Sequence, residues 1–137
     1  MTMSDDERRA ANKKVFTTVT DTITAGEFEK LGDYMADDLL FELPYAGEFL
    51  PDPIQGLEKW NQMQLMTFGM FDSFRLELRE FHDCLDPDEL VAEYQSDAVV
   101  KRNGNVYKNR YIGVLRFRDG KIAEWKEFHN PKATDVL

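Results

Sequence analysis

The chain reads as an α+β protein, a cone-shaped curved antiparallel β-sheet with three N-terminal helices covering its concave face. Three observations carry that reading. Helical periodicity is confined to the first half of the sequence, and four alternating apolar runs fill the second. The breaks between those runs are Asp86-Pro87-Asp88, Asn103-Gly104 and Asp119-Gly120, residue types that supply the dihedrals of tight reversals. Asp-Gly between two β-branched and aromatic runs is a strong hairpin signal, because Gly and Asp tolerate the positive φ of a type I′ turn. Helices followed by such a meander pack as two layers.

From Asp5 to about Ala25, Ala11, Val15, Val19 and Ile23 recur every four residues with Phe16 beside them, one face of an amphipathic helix. Ser4 and Glu7 have capping-box spacing at its start, and Gly26 stops it. A short second helix carries Phe28, Leu31, Tyr34 and Met35, and Leu39 to Pro44 reads as a strand with Pro44 at an edge or bend. Tyr45 to Gly56, with Gly47, Pro51 and Pro53, reads as a loop. A third helix runs from Leu57 to about Thr67. The expected strands are Phe74 to Phe81, Glu89 to Lys101, Val106 to Phe117 and Lys121 to His129.

With 137 residues, 42% of them hydrophobic and 12% aromatic, the chain fits a single domain, 1–137, with a real core. Seventeen basic residues against 26 acidic ones give a net charge of −9, which repels nucleic-acid phosphates and anionic lipid alike. The apolar runs are short and the N-terminus is charged where a signal peptide needs an apolar stretch, so the expectation is a cytoplasmic protein without membrane contact. Cys84 is the single cysteine, which excludes an internal disulfide and a cysteine-based zinc cage. Beside Asp83 and Asp86 it reads as a spectator. Two histidines far apart, His82 and His129, argue against a metal site.

The last strand carries the densest candidate chemistry. Alternation puts Ala123, Trp125, Glu127 and His129 on one face. With two-residue turns at Asp119-Gly120 and Asn103-Gly104, Ile112 lies opposite Glu127, Arg110 opposite His129 and Asp97 opposite Arg110, provided that no bulge shifts the register. The four polar groups then form either an acid/base site, with Glu127 desolvated beside Trp125, or a set of cross-strand ion pairs at an interface. Tyr45 starts the loop after the first strand, where a phenol would donate to a ligand carbonyl. Tyr94 and Tyr111 project from the meander, as core aromatics or ligand contacts. Phe41, Trp60, Met63 and Met66 make soft apolar surface suited to core packing or to a small apolar ligand.

The stretches AGEFEKLGDYMADDLLFELP, IQGLEKW and NRYIGVLRFRDGKIAEWKEFHNP, in this order of elements, resemble the nuclear transport factor 2-like superfamily. The pattern is similar to its SnoaL-like and phenazine-biosynthesis A/B-like branch, whose last strand ends in a similar Glu-Phe-x-Asn-Pro. The resemblance spans nearly the whole chain and implies a cystatin-like α+β roll, polyketide cyclase- or ketosteroid isomerase-like in fold, that pairs as a homodimer through the outer sheet face. It assigns Trp125, Glu127 and His129 to the cavity. The isomerase base and oxyanion tyrosine correspond to Leu43 and Val19, which rules out that chemistry there. The phenazine-type histidine corresponds to Leu57, and the Asp-Arg-Asp set of the epoxide hydrolases has no clear counterpart.

Two functions follow as expectations. One is a cofactor-free isomerase or cyclase acting on a small apolar carbonyl compound, with Glu127 as general acid/base, His129 as auxiliary proton carrier and Tyr45 as hydrogen-bond donor. The other is a noncatalytic ligand-binding or dimerisation module, favoured by the apolar residues at 19, 43 and 57.

Overall fold

The computed structural model describes residues 2–48 and 53–137. Helix α1, Asp5–Thr24, opens with the expected capping box: Glu7 N–H donates to Ser4 Oγ (3.1 Å) and Ser4 N–H to Glu7 Oε1 (3.2 Å). Its buried stripe is Asn12, Phe16, Val19, Thr20 and Ile23, rotated from the expected one. Asn12 is buried because its amide is satisfied by Pro87 O and Asp88 Oδ1, a long-range pairing that apolar periodicity does not reveal.

The expected second helix is a 3₁₀ turn, Phe28–Tyr34, and Met35 already belongs to strand β1, Met35–Glu42. Residues 49–52 of the predicted loop lie outside the described residues. The loop contributes a short strand β2, Ile54–Gln55, before α2, Leu57–Phe68. The meander follows as β3 (Phe71–Asp83), β4 (Glu89–Val100), β5 (Val106–Arg118) and β6 (Lys121–His129). A 3₁₀ turn, Pro131–Val136, comes last.

The six strands lie in the order β2-β1-β6-β5-β4-β3 in one curved, unclosed sheet. All neighbouring pairs are antiparallel except β1 with β6, which are parallel. Strand β1 can pair this way because the helices and the whole meander intervene as its crossover. Helix α1 is tied to the edge strand β3 through Thr24, whose hydroxyl donates to Leu76 O and accepts from Leu76 N–H.

One face of the meander is uniformly buried, with Leu90, Ala92, Tyr94 and Ser96 on β4 continuing into Tyr111 and Leu115 on β5. Phe16 reaches into its centre, its ring 5.3 Å from Tyr94 and 5.5 Å from Trp125. Val19, Leu43 and Leu57 belong to this core as packing residues. A smaller cluster of Phe71, Ala98, Val100 and Tyr107 is covered by Ala133, Val136 and Leu137, an apolar role for the C-terminal segment that the sequence reading did not assign. No helix among the described residues is long and apolar enough to cross a membrane.

Candidate active site

The Asp119-Gly120 turn has the predicted two residues, both at positive φ (54° and 77°), so Arg118 faces Lys121. The predicted register nevertheless fails three residues later. Phe117 pairs with Ile122 and Arg116 with Glu124, so Ala123 is the extra residue of a β-bulge. Beyond it Gly113, not Ile112, lies opposite Glu127, and Tyr111, not Arg110, lies opposite His129. The β4–β5 connection is also longer than the Asn103-Gly104 pair, with Val100 N–H bonding Asn105 O, so Asp97 faces Lys108 and not Arg110. The expected four-group cluster is thereby divided. Glu127 and His129 point to the buried face, whereas Asp97 and Arg110 are exposed on the other.

Glu127 meets a different set of partners. The Tyr94 hydroxyl donates to Glu127 Oε1 at 2.6 Å, and Trp125 Nε1–H donates to the Tyr94 oxygen at 3.1 Å. Tyr94 reaches across β5 because residue 113 is glycine: a Cβ there would sit 2.9 Å from the Tyr94 oxygen and 3.2 Å from Trp125 Nε1. Gly113→Ala should therefore push the phenol off Glu127 and lower stability by about 1–3 kcal/mol. Urea denaturation would measure this, and a loss under about 0.5 kcal/mol would show that the close approach is not enforced.

Burial raises the Glu127 carboxyl from the ordinary 4.5 to about 7, opposed by the Tyr94 hydrogen bond. Tyr94 is held well above its ordinary range by burial and then by the Glu127 charge, so it stays a neutral donor. Tyr111, stacked on Tyr94 with centroids 5.1 Å apart, is likewise raised by burial. Its hydroxyl bonds Ser96 at 2.8 Å and Tyr107 at 3.3 Å. Asn109 completes this buried network through Tyr107 Oη, Asn130 O and two backbone N–H groups.

His129 is partly buried, and that burial lowers its pKa, so the imidazole is neutral near pH 7. Its Nδ1 is buried with no partner among the described residues, as is Gln64 Oε1 on α2. Trp60, Phe41 and Trp125 pack together, with Phe41 and Trp125 rings 5.3 Å apart and Trp60 6.3 Å from each. Met63 lies at the core margin. Met66 is 66% exposed and does not join this set. Tyr45 is 56% exposed with its ring against Phe128, which alternates to the side of β6 opposite Glu127, so the chain does not bring Tyr45 to the carboxyl. The rings of Phe16, Phe41, Trp60 and Trp125 pack against one another in the core, and two grooves lie on the opposite face, around Leu40, Val114, Arg116 and Glu124.

Sequence reasoning missed Tyr94 as the partner of Glu127, and also Gly113, Asn109 and Gln64. A glycine within an alternating strand was the available signal for close approach of another group. It also missed that Glu80, His82 and Glu93 meet on the open face, with their ligand-type atoms within 4.8 Å of one another, because it weighed only histidine pairs. In this structure His82 Nε2 bonds Glu93 Oε2 at 2.6 Å, which raises the histidine and lowers the acid.

Comparison with known proteins places this geometry. The family described as "SnoaL-like domain" matches residues 16–125, most of the chain and the residues of the site other than Glu127, His129 and Asn130. The chain belongs to the SnoaL-like family. An uncharacterised PhzA/B-like protein of Pseudomonas aeruginosa is 33% identical over 93 residues, 67% of this chain and 64% of that protein. The chain thus spans just under two thirds of that relative's length. A phenazine biosynthesis-related protein of Pseudomonas aeruginosa superposes with TM-score 0.81 at 18% identity, over 95% of this chain and 86% of the other. An LEH-like epoxide hydrolase of M. tuberculosis superposes with TM-score 0.73 at 14% identity, over 93% and 86% of the two chains. At these identities the two structures share the cone-shaped α+β fold with this SnoaL-like chain.

Proposed function

We propose that this SnoaL-like protein is a cofactor-free acid–base enzyme of the isomerase or cyclase type, acting on a small apolar carbonyl compound. The observation that carries this is the Glu127 carboxyl, partly buried against the Tyr94 hydroxyl and raised to about 7, where it gives and takes a proton at neutral pH. The carboxylate removes a proton from a carbon beside the carbonyl, and the acid so formed returns it to a neighbouring atom. Tyr94 tunes the carboxyl, and His129, neutral with a buried Nδ1 that has no partner among the described residues, is the second proton carrier.

The test is α-proton exchange. Aryl ketones in D₂O, followed by NMR, should exchange faster with the protein than with Glu127→Gln. Equal rates over a broad panel would sink the enzymatic reading.

The close packing of the Phe16, Phe41, Trp60 and Trp125 rings favours a second reading, a noncatalytic binding or pairing module of the same fold. Pairing would use the open sheet face, where Ile112 is 45% and Val114 is 42% exposed side by side with Leu40 nearby. Light scattering should then find a dimer that Ile112→Glu with Val114→Glu converts to a monomer. A monomeric parent protein would refute the pairing.

A further inference from the structure

We infer that Trp125 is a positioning residue that fixes the direction of the hydrogen bonds at Glu127, so that the transferable proton resides on Oε2. The inference rests on the acid–base reading of Glu127 and deepens it. An indole N–H only donates, whereas a phenol both donates and accepts. At 3.1 Å from Trp125 Nε1, the Tyr94 oxygen accepts from the indole, and its own single proton is left to be placed on Glu127 Oε1 at 2.6 Å. The reverse arrangement, with a protonated Glu127 donating to Tyr94, would turn the phenol proton away from the carboxyl and into competition with the indole N–H.

The indole cannot swing aside to permit that reversal. Trp125 is 4% exposed, with the rings of Phe16 at 5.5 Å, Phe41 at 5.3 Å and Trp60 at 6.3 Å around it. On the remaining side, the space over Gly113 admits the Tyr94 oxygen and Trp125 Nε1 together, with room for nothing larger than hydrogen on residue 113. Oε1 is therefore an acceptor in both protonation states. Oε2, which accepts no hydrogen bond from the described residues, is the oxygen that exchanges a proton with a bound molecule.

The test reads the titration of Glu127 without any substrate. Infrared difference spectra of the parent protein against Glu127→Gln isolate the carboxylic C=O band, and its disappearance with pH gives the midpoint. Tyr94→Phe should raise the midpoint, because the carboxylate loses its donor. Trp125→Phe should also raise it, by about half a pKa unit or more on the scale of one hydrogen bond, because Tyr94 is then free to accept from the protonated acid. Since phenylalanine also leaves a packing defect, the same measurement is made with Trp125 replaced site-specifically by its benzothiophene isostere, which keeps the ring shape and puts sulfur in place of N–H. A shift in the isostere supports the role of Trp125. Trp125 variants with an unmoved midpoint, against a shifted Tyr94→Phe, overturn the inference while leaving the acid–base reading intact. A parent midpoint in the ordinary carboxylate range overturns both.

Discussion

Glu127→Gln should lower kcat/KM on a responsive carbonyl substrate by about 10²–10⁴-fold, the contribution of a positioned acid/base group. The same substitution should make the protein more stable above pH 7. Free in the unfolded chain, the carboxyl titrates near 4.5, and in the fold near 7. Between these values the folded state holds the extra proton, so stability falls as pH rises through the window and levels off above it. At about 1.4 kcal/mol per pKa unit the gap sets a ceiling of about 3 kcal/mol, and the partial exposure of the residue reduces this to about 1–3 kcal/mol. The glutamine variant has no charge to bury, so its stability should be flat across that window. Urea midpoints at pH 5 and pH 9 would show parallel losses in both proteins if Glu127 were an ordinary surface acid.

Phe16→Ala should cost about 3–5 kcal/mol, a large share of the roughly 5–15 kcal/mol of a domain this size. Phe16 is fully buried, and its ring touches Tyr94, Trp125 and Phe81 at centroid distances of 5.3, 5.5 and 6.4 Å. It is the contact through which α1 holds the Glu127 cluster from above, so its removal opens space against that cluster which packed strands on the far side cannot collapse to fill. Thermal unfolding of Phe16→Leu, which keeps most of the volume, should show about half the loss or less. Equal losses for both variants would mean that ring shape and not volume is what the core requires.

How far each part was legible depends on how local its signal is. The Ser4–Glu7 cap, the Asp119-Gly120 turn and the bounds of β6 are set within a few residues, and the sequence predicts all three. Glu127 and Trp125 were also visible as a buried-strand pair, given the family resemblance. Tyr94 as the hydrogen-bond donor was not, because it lies two strands away and meets Glu127 only in the correct register. Tyr45, adjacent to the first strand in sequence, turns to the other face with Phe128. The parallel pairing of β1 with β6 is equally nonlocal, since neither strand carries a mark of its partner.

The bulge at Ala123 sets the parity of everything after it. Because side chains alternate with a period of two, a regular ladder running through Ala123 would turn Trp125, Glu127 and His129 outward and bring Glu124, Lys126 and Phe128 into the core, whereas deleting the extra residue would leave them all facing as they do. A one-residue gap at Ala123 therefore only straightens the strand, while a gap between Glu124 and His129 inverts the facing of the residues on one side of it. The acid stays on the core face with or without the extra residue, provided that the count from Glu124 to Glu127 is kept.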